Sequence, residues 1–315
     1  MPSTIAIIMD PITGIKPAKD TTFAMILAAR ARGHRVHYLE LSDIWVQDGQ
    51  PLGRSRPLEV HDRTEAFHEL GAATTGPLER FDAILMRKDP PADAEYVYAT
   101  YTLELAEHAG VRVSNRPQGL RDINEKAFTA LFPDCTPPTL ITRDRARIRE
   151  FLGEHGDIVV KPMDGMGGSS IFRVREGDPN TSVILETMTA FDRRTVIAQR
   201  FLPEFTAGDK RIIMIGGEPF DHALARIPAP GESRANLAVG GRGEAVPLTD
   251  RDREICDRVG PELRHRGIHF AGLDVIGECL TEINVTSPTG VRELDAACGG
   301  DLAGRYIDFI TGESV

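Results

Sequence analysis

From its first residues the chain alternates short apolar runs with segments of helical period. Ile5 to Met9 is unbroken apolar sequence; DTTFAMILAARARG follows, then RVHYLEL and, further on, FDAILMRKD. Four-to-eight-residue apolar runs separated by a longer amphipathic stretch predict a β-α-β rhythm. Asp20 stands where a helix N-cap belongs, Phe23, Met25, Ile26 and Leu27 supply an apolar helical face, and Gly33 sits where the helix would stop. An N-terminal doubly wound parallel-sheet lobe is expected, ending near residue 120. Residues 47–76 are polar, hold several Pro and Gly and show no clean period, so an irregular surface excursion without chemistry is expected there.

Beyond Asn124 the pattern changes. A helix near Lys126, a turn at Pro137 and Pro138, a helix over 143–154, the strand DIVVKP and a glycine-rich hairpin are predicted in that order. RIIMIGG and HALARIP then read as a strand pair, 228–243 as a loop, 250–266 as a helix, and FAGLDVIG and LTEINV as strands. The fold class is α/β, its C-terminal part α+β, and no fixed-period repeat suggests a solenoid.

At 315 residues the chain has room for two or three lobes. Its 41% apolar and 27% charged content is that of an ordinary globular protein, and no apolar run is long enough to cross a bilayer, so no membrane partner is expected. The net charge of −10 comes from interleaved acids and bases, which argues against a nucleic-acid surface with its concentrated basic patch. Cys135, Cys256, Cys279 and Cys298 are widely spaced without a metal-ligand pattern, so reduced thiols are expected. The N-terminus enters its first strand without a basic region or cleavage site, which implies a cytoplasmic protein.

Three features carry candidate chemistry. In VVKPMDGMGGSSI, Lys161 ends a strand, and Gly165, Gly167 and Gly168 lie in a polar turn with Ser169 and Ser170. Glycines let backbone amides approach phosphate oxygens, and the lysine adds the charge that amides lack, although such a hairpin by itself can be a mere turn. It is neither a Walker A loop nor a dinucleotide fingerprint. The second feature is GLDVIG and, after a short link, LTEINVTSPTG, which puts Asp274, Glu282 and Asn284 on neighbouring strands with Glu282 and Asn284 on one face. Two carboxylates and an amide oxygen suit Mg²⁺ shared with phosphate oxygens; an exposed polar strand face is the alternative. The third is basic: Lys210 and Arg211 opening one strand, Arg226 ending its partner, and Arg234 and Arg242 among the glycines of 228–243. That composition fits a lid over an anionic substrate or a flexible linker. Nucleophile motifs are absent, and His34, His37 and His222 are scattered.

Taken in order, MRKDPP, NEKAFTA, KPMDGMGGSSIFRV, EGDPN, GDKRI, LARIP, NLAVGGRGE, GLDVIG and TEINVTSPTGVRE resemble the bacterial glutathione synthetases of the ATP-grasp superfamily, from Ile5 to about Glu293. The resemblance implies an N-terminal substrate domain over 1–120, a central ATP-grasp lobe over 121–200 and a C-terminal lobe over 201–315 with the lid at 228–243. By motif position, Lys126 and Lys161 would hold nucleotide phosphates under the loop Gly165, Met166, Gly167, Gly168, Ser169 and Ser170. Gln199, Phe201, Leu202 and Asp209 would complete the nucleotide side. Asp274, Glu282 and Asn284 would bind Mg²⁺, with Mn²⁺ as a substitute. Arg211 and Arg226 would act on the reacting carboxylate, and Arg234, Asn236, Gly241, Ser287, Pro288 and Thr289 would line the substrates. The implied reaction joins γ-glutamylcysteine and glycine at the expense of ATP through an acyl-phosphate, in a homotetramer. A different ATP-grasp amino-acid or peptide ligase, or a nucleotide-binding module without turnover, are the alternatives. The tail after Ala296 matches no motif.

Overall fold

The computed structural model describes residues 2–165, 170–227 and 242–312. Residues 166–169 and, of the lid expected at 228–243, residues 228–241, and with them Met166, Gly167, Gly168, Ser169, Arg234, Asn236 and Gly241, lie outside the described residues.

The N-terminal sheet is built on β1 (Thr4–Ile8), β2 (Arg35–Leu39), β7 (Ala83–Met86) and β8 (Arg112–Ser114), joined by α1 (Thr21–Ala31) between β1 and β2 and by α2 (Ala94–His108) between β7 and β8. These four strands are parallel in the order β2-β1-β7-β8. Both faces are covered: Ile5 and Ile7 share a core with Phe23, Met25 and Ile26 of α1, whereas Ala6 and Ile8 share one with Tyr96 and Leu103 of α2. That is why β1 reads as continuous apolar sequence rather than alternating. Asp20 caps α1, its Oδ1 accepting from Phe23 N at 2.6 Å.

Residues 47–76 are not irregular. After β3 (Ile44–Gln47) they form β4 (Gln50–Val60), β5 (His68–Leu70) and β6 (Thr74–Pro77), antiparallel additions that make the N-terminal sheet mixed. The strand escapes a hydropathy pattern because its inward positions include Pro51, Gly53 and Ser55. Gly53 is there for space, since a Cβ would stand 2.6 Å from Leu78 Cδ2 and 3.1 Å from Leu39 Cδ2. Ser55 is satisfied by His37 Nδ1 at 3.0 Å and Arg80 at 2.9 Å.

After α3 (Pro117–Asp122), a four-stranded antiparallel sheet in the order β11-β10-β12-β9 is formed by β9 (Thr139–Thr142), β10 (Asp157–Pro162), β11 (Phe172–Arg175) and β12 (Val196–Arg200). Its core, with Ile148 and Leu152 of α4 (Arg145–His155) and Leu185 and Met188 of α5 (Thr181–Thr189), is separate from the others. The third sheet runs β15-β14-β13-β16-β17: β13 (Asp209–Ile215), β14 (Glu218–Ile227), β15 (Arg242–Pro247), β16 (Phe270–Ile276) and β17 (Cys279–Asn284), backed by α6 (Asp250–His265). Its residues join the N-terminal domain's apolar clusters, so these two parts share core while the central sheet keeps its own.

The tail folds into α7 (Val291–Cys298) and α8 (Leu302–Thr311). Leu302, Ala303, Tyr306, Ile307 and Ile310 bury one face of α8 against α1, and Arg32 seals the contact with ion pairs to Asp301 and Asp308. No described helix is long and apolar enough to cross a membrane.

Candidate functional site

The register of the third sheet decides what faces what. Asp209 pairs with Arg226, Arg211 with Asp274, Asp274 with Glu282, and Gly272 with Asn284. Opposed residues in antiparallel strands share a face, so Arg226, Asp209, Arg211, Asp274, Glu282 and Asn284 form one polar surface across four strands. The alternate residues Ile212, Leu273, Ile283 and Val285 are buried on the other side. Lys210 goes with them: its ammonium pairs with the buried Asp252 of α6, so it leaves the basic set that the sequence suggests. Arg242 is exposed beside Glu244.

Asp274 is the hub. Its Oδ1 accepts from Arg211 Nε at 2.5 Å, and its Oδ2 accepts from Arg211 Nη2 at 2.9 Å and lies 2.9 Å from Arg226 Nη2. Burial opposes its charge, yet the two guanidiniums hold its carboxyl well below the ordinary range. Arg226 also donates from Nε and Nη2 to Asp209 at 2.9 and 2.5 Å. Burial raises the Asp209 pKa, with Arg226 acting against the rise. Both arginines are nearly inaccessible, at 6% and 7% exposure, and such forks are rigid donors for carboxylate or phosphoryl oxygens.

Two lysines converge on this face. Lys126 Nζ lies 3.7 Å and Lys161 Nζ 4.0 Å from the same oxygen of Glu282. Lys161 comes from the end of β10. Lys126 comes from a segment that hydrogen-bonds along β17, with Ile283 N donating to Glu125 O at 2.9 Å and Leu280 N to Cys135 O at 2.7 Å. The helix expected near Lys126 is a short 3-10 turn over Ala127–Leu131 with Lys126 at its N-cap, started by Asn124 Oδ1 accepting from the amides of Lys126 and Ala127 and stopped before Pro133. Its Nζ donates to Gly165 O at 2.7 Å, tying it to the mouth of the glycine loop. Burial lowers the Lys161 pKa despite Glu282. Two buried ammoniums sharing one carboxylate leave positive charge that polyphosphate can neutralise.

Of the residues expected on the nucleotide side, Gln199 is buried and its Nε2 donates to Thr139 Oγ1 at 3.2 Å. Leu202 is buried beside it, and the Phe201 ring lies 3.4 Å below the Arg173 guanidinium carbon. Ser170 is described, with positive φ and an exposed side chain. The turn holding Ser287, Pro288 and Thr289 follows β17 and is gripped at Thr289 O by Arg211 Nη1, 3.3 Å away.

As cation ligands, Glu282 and Asn284 have the right hardness: Asn284 Nδ2 donates to Gly272 O at 3.2 Å, which leaves Oδ1 as its acceptor. Asp274 already accepts from two arginines and would contribute only remaining lone pairs. Among the described residues no group of three or more His, Cys, Asp and Glu is placed to hold a metal.

Sequence reasoning passed over Glu125 and Arg87. Glu125 accepts from Thr286 Oγ1 at 3.0 Å, and burial together with the nearby Glu282 raises its pKa. Arg87 is buried at the end of β7. Both stand inside quoted motifs, NEKAFTA and MRKDPP, which was the available signal.

Residues 4–121 match the family model for the prokaryotic glutathione synthetase N-terminal domain, and residues 125–299 match that for the prokaryotic glutathione synthetase ATP-grasp domain. The chain is 57% identical over 306 residues to a glutathione synthetase of Pseudomonas putida, covering 97% of this chain and 96% of that one. It is 53% identical to that of Shewanella oneidensis, with 97% of each covered. Among solved structures, D-cycloserine synthetase DcsG superposes with a TM-score of 0.69 at 16% identity over 98% of this chain and 99% of that one. The ATP-grasp ligase PsnB, complexed with minimal precursor, Mg and ADP, gives 0.64 at 19% identity over 98% and 97%. At these identities the two structures speak for the fold alone.

Proposed function

The chain belongs to the prokaryotic glutathione synthetase family, and from that premise we propose how its residues divide the work of the reaction. It is an ATP-dependent ligase with glutathione synthase function: γ-glutamylcysteine, glycine and ATP give glutathione, ADP and phosphate. The cysteinyl carboxylate takes the γ-phosphoryl group, and the glycine amine then attacks the acyl carbon. The C–N bond forms, the C–O bond breaks, phosphate leaves with the former carboxylate oxygen, and the amine loses its protons to solvent.

The observation that carries the residue assignment is the single polar face on which Arg211, Arg226, Asp274, Glu282 and Asn284 meet Lys126 and Lys161. Lys126 and Lys161 hold the phosphates beside the loop from Gly165 to Ser170, and Gln199, Phe201 and Leu202 face the base. Glu282 and Asn284, helped by Asp274, would hold Mg²⁺, or Mn²⁺ in its place, which when bound would neutralise phosphate charge. Arg226, braced by Asp209, and Arg211, braced by Asp274, hold the carboxylate in line and then the tetrahedral oxyanion; positioning and charge neutralisation are what such a transfer demands. Ser287, Pro288 and Thr289 line the peptide, and Arg234, Asn236 and Gly241 belong to the segment that would cover it. The division into 1–120, 121–200 and 201–315, a homotetrameric assembly and a cytoplasmic location complete the proposal.

The acyl-phosphate is tested with γ-glutamylcysteine carrying ¹⁸O in its cysteinyl carboxylate. One ¹⁸O should appear in each phosphate released. Phosphate without label would rule the intermediate out.

A further inference from the structure

Glu125 takes no part in the chemistry above, yet it precedes Lys126 directly and grips the neighbouring strand twice. Its main-chain oxygen accepts from the amide of Ile283, the residue between Glu282 and Asn284, at 2.9 Å. Its side-chain Oε1 accepts from Thr286 Oγ1 at 3.0 Å. Thr286 is buried just past β17 and opens the turn Ser287–Thr289. The segment that carries Lys126 is thus fastened both along the strand of the expected cation ligands and at the start of the turn that follows it.

The same stretch of chain is held from two other directions. Arg87 Nη2 donates to Pro288 O at 3.1 Å, and Arg211 Nη1 donates to Thr289 O at 3.3 Å. Three side chains from distant parts of the sequence therefore fix residues 286–289. Of these three, Glu125 is the one joined by a peptide bond to a lysine of the polar face, whose Nζ lies 3.7 Å from Glu282. A displacement of either the lysine's segment or the turn is passed to the other through a single residue.

The surroundings of this carboxylate are not those that stability alone would favour. Glu125 is half-buried; burial and the nearby Glu282 oppose its charge, while Lys126, the Thr286 hydrogen bond and Arg211 favour it. Tyr96 of α2 is buried close enough for the Glu125 charge to raise its pKa, and its hydroxyl meets no hydrogen-bond partner among the described residues. Like charges and an unpaired buried hydroxyl at one spot are departures of the kind that gather at functional sites.

We propose that Glu125 is a positioning residue for acyl-phosphate formation: through Thr286 it sets the Ser287–Thr289 turn, and with it the reacting carboxylate, at the separation from the Lys126-held phosphate that in-line transfer needs. The inference rests on Lys126 holding phosphate and on the turn lining the peptide. A misplacement of about 1 Å at such a site costs on the order of a hundredfold in rate. A hydrogen bond to an ionised acceptor is roughly twice as strong as a neutral one, so a carboxylate holds Thr286 better than an amide does, and an amide better than a methyl group.

The test uses the intact enzyme with ATP, Mg²⁺, γ-glutamylcysteine and glycine, reading kcat, the KM of each substrate and a melting curve for every variant. Glu125→Ala should lower kcat by about a hundredfold with the ATP KM unchanged, and Thr286→Val should do the same. The double variant should lose no more than about threefold beyond either single one, because both cut the same bond. Glu125→Gln, whose amide oxygen can still accept from Thr286, and Thr286→Ser, which keeps the hydroxyl, should each regain at least about tenfold of the loss. Glu125→Gln and Thr286→Val carry the test should Glu125→Ala fail to fold. A folded Thr286→Val enzyme with wild-type kcat, losses that multiply in the double variant, or Glu125→Gln as slow as Thr286→Val overturns the positioning role. Lys126→Met with an unchanged ATP KM would instead overturn the phosphate assignment beneath it, whatever the Glu125 variants do.

Discussion

Replacing Arg226 separates chemistry from nucleotide binding. Its guanidinium makes both of the hydrogen bonds to the Asp209 carboxylate and a third contact to Asp274. In Arg226→Ala, Asp274 keeps its two bonds from Arg211, but Asp209 keeps none of these and, with its pKa already raised by burial, takes up a proton. Breaking a buried pair costs roughly 3–5 kcal/mol when the remaining charge stays, and protonation brings the cost below that. Loss of one donor aimed at a developing oxyanion costs about 3–4 kcal/mol, a factor of 10² to 10³ in kcat. ATP affinity, which the account assigns to Lys126, Lys161 and the metal, should move less than threefold. The assay is steady-state phosphate release with ATP varied at saturating peptide and glycine, beside a melting curve for each variant. Adding Asp209→Asn to Arg226→Ala should recover stability and recover no activity. Equal losses in kcat and ATP affinity, or a folded Arg226→Ala enzyme within tenfold of wild-type turnover, would refute the assignment.

Glu282→Gln removes the carboxylate that two lysines and the cation would share, so the Mg²⁺ concentration for half-maximal activity should rise at least tenfold; an unchanged metal titration contradicts the ligand assignment. His269 is half-buried beside Ser114 Oγ at 3.1 Å, and desolvation pushes its pKa down to about 4, with Arg112 and Arg116 adding to the shift. A base with a lowered folded pKa stays neutral in the fold and charges on unfolding, so its contribution is whole above pH ~6.5 and is lost as pH falls toward 4, up to about 3 kcal/mol. His269→Gln should therefore melt with a shallower dependence over that window; parallel melting profiles would count against it. Burial pushes the Cys256 thiol up to about 12, so a thiol reagent at pH 8 should leave it unlabelled until the protein is denatured, and labelling at the native rate of an exposed thiol would show the site to be open.

How much of this was readable beforehand depended on whether the signal was local. β1 and α1 carry their own hydropathy and cap, and both form where Ile5 and Asp20 direct. β4 has Pro51, Gly53 and Ser55 on its inward side, so its burial comes from neighbours and leaves no pattern. In α8, Leu302, Tyr306, Ile307 and Ile310 do fall at helical spacing, but no motif marks the helix, and its partner is distant in sequence: Arg32, at the end of α1, bonds Asp308 across 276 residues. At the site, Glu282 and Asn284 share a face by strand alternation alone. Their meeting with Arg211, Arg226 and Asp274 depends on the register of three further strands, and Lys210 shows the limit: one residue from Arg211, it points into the opposite layer. The buried state of Arg87 was equally hidden, since Arg in an exposed-looking RKD run gives no hint that a carbonyl 201 residues away accepts its hydrogen bond.

The most direct measurement follows phosphate release from ATP and Mg²⁺ with γ-glutamylcysteine, with and without glycine, while glutathione is weighed by mass spectrometry. The account predicts glycine-dependent glutathione, one molecule for each phosphate released. Phosphate release that ignores glycine, or turnover that yields no glutathione, would contradict it.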